Sequence, residues 1–309
     1  MSARHVLSIL DLDTETLARL VDDALAIARG RWEGRKPLDG KFVGIYFRRT
    51  STRTRTSFTV GAMKLGASVV SYGPNDLQIA TGETVKDTAR VLANYLDALV
   101  LRTAGPIEEM RDLARQNWMS IVNAMSENEH PTQAIADLAA LKEVFGTLEG
   151  RHVLYLGERN NTASALAYAF ALLPHMHLTL VTPDGYGVPV EMIEEARQIG
   201  ERNGSVIEEH HDVDRLPRGV DAVYTTRWLT TGVQRDEPGW QDKFRPYGVT
   251  PEIMARVSKE RTIFMHDLPA MRGTDVLDEV LDGPQSIAFR QAYHKMTSAM
   301  AVLNWCVEG

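Results

Sequence analysis

Residues 51–56 read Ser-Thr-Arg-Thr-Arg-Thr, four hydroxyl side chains and two guanidinium groups directly after the apolar run Phe42 to Phe47. That spacing predicts a strand that turns into a helix. The first free backbone N–H groups and the positive end of the helix dipole then converge on one point, where a phosphate can sit. Ser51, Thr52, Arg53 and Thr54 are the candidate ligands of that anion. A plain alternative is a helix start capped by Ser51 or Thr52 with solvated arginines. No Gly-rich turn followed by Lys-Ser/Thr occurs, so the pattern differs from the common nucleotide-triphosphate loop.

A second cluster narrows the chemistry. His130-Pro131-Thr132-Gln133 follows the polar turn Ser126 to Glu129 and opens the apolar-periodic run Ile135, Leu138, Ala139, Leu141. Proline suits the first helical position, which leaves His130 and Gln133 near the mouth of that helix. An imidazole can donate to a carbonyl oxygen and an amide oxygen can accept from an NH2, and together these describe a carbamoyl group.

Short apolar strands are expected at Ser68 to Tyr72, Ala98 to Leu101 and Ser120 to Ala124, alternating with helices over 14–31, 54–65, 84–96 and 107–117. After the turn-rich link Gly146 to Gly150 the pattern restarts, with a strand at Val153 to Leu156, a helix at Thr162 to Leu173 and a strand at His177 to Val181. Such alternation predicts an α/β protein of two doubly wound parallel-sheet domains. The expected boundaries are residues 1–145, joined by a C-terminal helix over 286–309, and 146–285.

Composition excludes several classes. The 309 residues are 44% hydrophobic and 24% charged, as in soluble globular proteins. No apolar run approaches the ~20 residues of a membrane span, and the start Met1 to His5 lacks the apolar core of a signal peptide. A cytoplasmic protein without a membrane partner is expected. The net charge of −7 argues against a nucleic-acid footprint. The single Cys306 excludes an intrachain disulfide and a cysteine metal cluster, and it reads as a core residue. Gly157-Glu158-Arg159-Asn160-Asn161 stands where a dinucleotide domain carries Gly-x-Gly-x-x-Gly, and the missing glycines argue against NAD. No cofactor and no metal is expected.

The chain resembles the aspartate/ornithine carbamoyltransferase family, whose phosphate motif is Ser-Thr-Arg-Thr-Arg (here Ser51 to Arg55) and whose carbamoyl motif is His-Pro-x-Gln (here His130 to Gln133). The resemblance extends to Val6 to Leu12, Gly82 to Leu92, Arg102 at a strand end and His266-x-Leu268-Pro269. Asp278 to Ser286 looks like the ornithine branch. The family implies transfer from carbamoyl phosphate to a small amine. It assigns the phosphate to Ser51, Thr52, Arg53, Thr54 and Arg102, and the carbonyl oxygen to Thr54, Arg102 and His130. Gln133 and the backbone carbonyl at Leu268 would hold the carbamoyl NH2. Lys295 stands where the ornithine branch has an arginine touching carbamoyl phosphate. The family further implies a homotrimer whose active sites are shared, with Gln78 reaching a neighbouring copy, and a C-terminal helix packed on the first domain. Arg55 is read as a structural ion-pair partner.

The acceptor side departs from its relatives. Ornithine enzymes carry an Asp-x-Trp-x-Ser-Met-Gly loop, and here the stretch is Thr226-Arg227-Trp228-Leu229-Thr230-Thr231-Gly232. Thr226 replaces the aspartate that binds ornithine, while Arg227 resembles the carboxylate-gripping arginine of the aspartate branch. Asp267 stands beside the carbamoyl site where the ornithine branch has cysteine; it is counted among the expected carbamoyl phosphate contacts as well as the acceptor contacts, and it either anchors an amine or caps a turn. Asn161 matches an acceptor contact of the ornithine branch. The expected acceptor therefore carries an anionic group, bound by Asn161, Thr226, Arg227, Thr230, Thr231 and Asp267, with ornithine a poor substrate. Three other readings stay open at this point: an ordinary ornithine carbamoyltransferase with a rearranged acceptor loop, a silent anion-binding homologue, and an oxidoreductase or kinase on a doubly wound fold, which the absent glycine fingerprints disfavour.

Overall fold

A computed structural model describes residues 3–229 and 235–308. The chain folds as two compact units, Met1–Ala139 with Tyr293–Gly309, and Ala140–Ala292.

In the first unit α1 (Thr14–Ala28), β1 (Phe42–Phe47), α2 (Arg53–Lys64), β2 (Ser68–Tyr72), α3 (Val85–Leu92), β3 (Ala98–Arg102), α4 (Ile107–Ala114) and β4 (Ser120–Asn123) follow in order. The strands form a parallel sheet in the order β2-β1-β3-β4. All five residues of β3 are buried, as a strand covered on both faces requires. α1 begins one residue beyond its true cap: Asp13, not Thr14, accepts from the Thr16 N–H at 2.7 Å, and the helix ends at Ala28 in a run of turns rather than reaching Arg31.

α5 (Pro131–Phe145) leads out of the first unit. The second unit contains β5 (His152–Leu156), α6 (Asn161–Leu172), β6 (His177–Val181), α7 (Val190–Asn203), β7 (Val206–His210), β8 (Val220–Thr225), α8 (Trp240–Phe244), α9 (Pro251–Val257), β9 (Ser258–His266) and α10 (Asp278–Leu281). Its five strands are parallel in the order β7-β6-β5-β8-β9. α6 is buried from Asn161 to Ala171, which explains its alanine-rich, weakly amphipathic sequence. α11 (Ala288–Val307) carries the chain back to the first unit, where the Ser120 hydroxyl donates to the carbonyl of Cys306 at 3.0 Å and Cys306 is buried. Among the described residues no helix is long and apolar enough to cross a membrane.

Each sheet has a point where the strand order reverses, between β1 and β3 in the first and between β5 and β8 in the second. In open α/β sheets the crevice beyond the carboxyl ends of such strands is the usual ligand position. The segments leaving those ends are Arg48 to Arg53 and Arg102 to Ala104 in one unit, and Gly157 to Asn161 and Thr226 to Trp228 in the other.

Candidate active site

One cluster of candidate residues is built in the first unit, at the β1/β3 reversal. Phe47 lies in register with Arg102, and the Arg48 N–H donates to the Arg102 carbonyl at 3.0 Å, so the Ser51-to-Arg55 turn and Arg102 leave adjacent strands together. Thr52 occupies the cap position of α2 in helical conformation (φ −74°, ψ −57°) and makes no side-chain cap bond. The hydroxyl-capped alternative is therefore not the one adopted. The first turn of α2 also carries no acid. Thr54 is buried. Arg55 donates to the Ser71 hydroxyl at 3.1 Å and to the Tyr72 carbonyl at 3.3 Å, tying α2 to β2 through hydrogen bonds to neutral groups, not the expected ion pair.

Arg102 and His130 are both buried. Arg102 Nη1 donates to the carbonyl of Ala124 at 3.4 Å. Burial first, then the positive charges of Arg102 and Lys295, hold the His130 imidazole well below the ordinary histidine pKa. The ring is thus neutral at pH 7. Its Nδ1 lies 3.3 Å from the Thr132 hydroxyl, and its Nε2 is buried with no hydrogen-bond partner. The tautomer that accepts the Thr132 hydroxyl at Nδ1 leaves Nε2–H to donate to a ligand oxygen.

Lys295 Nζ donates to Gln133 Oε1, and Gln133 Nε2 donates to Asp137 Oδ1 at 2.7 Å. Both ends of the Gln133 amide are therefore engaged, its oxygen keeping one further lone pair. The segment before His130 is held to the N-terminal residues: the buried Glu129 carboxylate accepts from the Ile9 N–H at 2.6 Å, and Asn123 donates to the Leu7 carbonyl at 2.7 Å. Burial pushes Glu129 up to about 7, against the opposing bonds from Ile9 and Ser8. Sequence reasoning gave no role to Glu129, which precedes the motif, or to Thr132, which lies within it. Gln78 is exposed on a short 3-10 turn and accepts from the Thr81 hydroxyl.

A separate cluster forms in the second unit, at the β5/β8 reversal and the adjoining end of β9. Thr225 is in register with His266, so the next residues, Thr226 and Asp267, emerge side by side. The Thr226 hydroxyl donates to Asp267 Oδ1 at 2.9 Å, and the Thr162 hydroxyl donates to Asp267 Oδ2 at 3.0 Å. Asn160 caps α6 by accepting from the Thr162 and Ala163 N–H groups, and its amide donates to Thr226 Oγ1 at 2.9 Å. One carboxylate thus gathers three elements. The strand end at Thr226 does not lack an anion, as the residue at that position alone suggested; the anion stands on the neighbouring strand. Asn161 is buried in the first turn of α6. Arg227 is half-buried, and its Nε is buried without a partner. Thr230 and Thr231 lie outside the described residues.

Glu158 and Arg235 complete this cluster and were missed from sequence. They form an ion pair with Glu158 buried and Arg235 half-buried, and the Arg235 guanidinium lies 4.7 Å from each of the ring centres of Tyr186, Trp240 and Phe244. Burial pushes Glu158 up to about 7 despite the opposing charge of Arg235. Arg235 also donates to the Trp228 carbonyl at 2.9 Å. Gly157 beside it holds φ 111°, a conformation that L side chains rarely adopt, and a Cβ there would stand 3.2 Å from Trp228 Nε1.

The first unit thus sets the cations Arg102 and Lys295 near a buried, neutral histidine. Residues 4–143 match the family model described as aspartate/ornithine carbamoyltransferase, carbamoyl-P binding domain, and residues 149–306 match its Asp/Orn binding domain. The chain belongs to the aspartate/ornithine carbamoyltransferase family. It is 35% identical over 305 residues to an ornithine carbamoyltransferase of Methanothermobacter thermautotrophicus, covering 98% of each chain. Against that of Acidothermus cellulolyticus it is 36% identical over 306 residues, covering 99% of this chain and 97% of the relative. The solved ornithine carbamoyltransferase from Pyrococcus furiosus superposes with a TM-score of 0.92 at 32% identity, over 100% of this chain and 98% of that one.

Proposed function

We propose that the protein transfers the carbamoyl group of carbamoyl phosphate to the amine of a small metabolite bearing an anionic group, with release of phosphate. The neutral amine nitrogen attacks the carbonyl carbon, the C–N bond forms, and the carbonyl oxygen becomes an oxyanion. Collapse breaks the C–O bond to phosphate, which leaves with the electron pair and accepts the proton from the amine. In this reading residues 1–145 with 286–309 form the donor domain and 146–285 the acceptor domain. Ser51, Thr52, Arg53 and Thr54 hold the phosphate at the start of α2, while Arg102, Thr54 and His130 stabilise the oxyanion, each such donor contributing about 3 kcal/mol.

The observation that supports this most is the His130 ring: buried, kept neutral beside two cations, with Nε2 unpartnered. A neutral imidazole can donate to a developing oxyanion without first losing a proton. On the acceptor side Asp267 pairs with an ammonium group and Arg227 with a carboxylate. Gln78 serves a neighbouring copy in a homotrimer.

Release of phosphate on mixing the protein, carbamoyl phosphate and a panel of amines tests the reading. Release that requires both an amine and carbamoyl phosphate is expected. Failure of every amine, with carbamoyl phosphate still bound, would leave a silent homologue.

Ornithine as the acceptor is a second reading, favoured by one observation. The carboxylate of Asp267 lies 2.9 Å from the hydroxyl of Thr226, so an anion is retained beside the position where ornithine enzymes carry theirs. A low ornithine KM and citrulline as the product would select this reading.

A further inference from the structure

His266 ends β9 and is wholly buried, as is Asp275, nine residues on. Its ring contacts are fixed in polarity. The Leu268 N–H, which can only donate, lies 2.8 Å from Nδ1, so Nδ1 carries a lone pair. The ring hydrogen then sits on Nε2, 3.0 Å from Asp275 Oδ2. Asp275 is an acceptor there, and it also takes the Met271 N–H at 2.7 Å. The His266 N–H donates to Gln291 Oε1 at 2.8 Å. Leu268 adopts a left-handed φ of 55°, a conformation that L side chains rarely adopt, and its amide is tied to this ring.

Asp267 lies between the two residues so held. Its Oδ1 stands 3.6 Å from His266 Nδ1, whose lone pair is taken up by the Leu268 N–H, while the Thr226 hydroxyl donates to that same oxygen at 2.9 Å. With the opposite tautomer, Nδ1–H would oppose the Leu268 N–H and would find its best acceptor in Asp267. The carboxylate would then be drawn into an internal pair and away from Thr226.

We infer that His266 is a positioning residue: Asp275 fixes its Nε2–H tautomer, and that tautomer keeps the Asp267 carboxylate available to the acceptor's ammonium group. The inference rests on the proposed acceptor role of Asp267. The ring acts through its hydrogen bonds and touches no reacting atom.

Asp275→Asn tests it, because an amide can donate to Nε2 and so permit the reversed tautomer, as loss of an orienting aspartate does for other histidines. Nitrogen-15 NMR of the His266 ring in the wild type should show a lone-pair nitrogen at Nδ1 and a protonated one at Nε2, reversed in Asp275→Asn. In phosphate-release assays with ornithine the variant should raise the ornithine KM tenfold or more and leave the carbamoyl phosphate KM within twofold. His266→Asn, whose short amide oxygen can still accept the Leu268 N–H, should recover part of the loss seen in His266→Ala. A protonated Nδ1 in the wild type would overturn the inference even if Asp275→Asn failed to fold. So would a reversed tautomer with unchanged KM. Asp267→Asn separates the two levels: if it leaves the ornithine KM unchanged the acceptor role of Asp267 fails, whereas a raised KM there with an unaffected Asp275→Asn fails only the role of His266.

Discussion

The two half-sites are built in opposite ways. The proposed donor site is local in sequence, its candidate residues lying in two short runs, Ser51 to Thr54 and His130 to Gln133, with Arg102 brought in by strand register. The acceptor half is assembled from Thr162, Thr226 and Asp267, residues 41 to 105 positions apart that meet through hydroxyl-to-carboxylate bonds. The donor half is a cationic cradle around a ring held neutral, whereas the acceptor half is a carboxylate held in place by uncharged donors. Local motifs travel intact through a sequence. A charge that resides on one strand of a pair can be supplied by the other.

The largest effect that would break this contrast lies in the donor half. His130→Ala and Arg102→Ala should each lower turnover about a hundredfold or more, since each removes a donor aimed at developing oxyanion charge. Near-normal turnover in either would mean that the cradle binds an anion without acting on it.

Asp267→Asn comes next. It keeps the shape but removes the charge, and its single amide oxygen can accept from only one of the Thr226 and Thr162 hydroxyls; a lost charge-assisted hydrogen bond of about 1.5–3 kcal/mol raises the acceptor KM roughly 10- to 100-fold. Arg227→Ala should raise the same KM about tenfold if the acceptor carries a carboxylate. An acceptor without an anionic group would leave that variant unaffected, and comparing a diamine with its amino-acid counterpart sharpens the point.

Smallest for catalysis is Glu129→Gln, which probes how the donor half is braced. The folded-state pKa of Glu129, pushed up to about 7, exceeds the ordinary 4.5, so the folded protein binds the extra proton between those values. Its contribution is most favourable below about 4.5 and is lost as pH rises toward 7. Glutamine stays neutral throughout, so unfolding measured between pH 4.5 and 7 should show a flatter stability profile in the variant, by roughly 1–3 kcal/mol across the window. An unchanged slope would show that Glu129 does not titrate there.

Legibility in the sequence followed the same division. Strands at Ser68–Tyr72 and His177–Val181 were readable to the residue, because each is a short run rich in β-branched and apolar residues bounded by turn signals. The α2 start and the α5 start were readable from local motifs. The true cap of α1 at Asp13 was not, since neighbouring Asp and Thr can both cap and only geometry chooses. Asp267 could be named but not interpreted, because its partners Thr162 and Thr226 become neighbours only through the β8–β9 register and the packing of α6. Glu158 and Arg235 were invisible for the same reason: an ion pair across 77 positions leaves no local pattern.

Steady-state phosphate release, titrated separately in carbamoyl phosphate and in ornithine for the wild type and Asp267→Asn, tests the division most directly. The acceptor KM should rise tenfold or more while the carbamoyl phosphate KM stays within twofold. A carbamoyl phosphate KM that rises as steeply as the acceptor KM would contradict it, because Asp267 would then serve the donor and the two halves would not be separable.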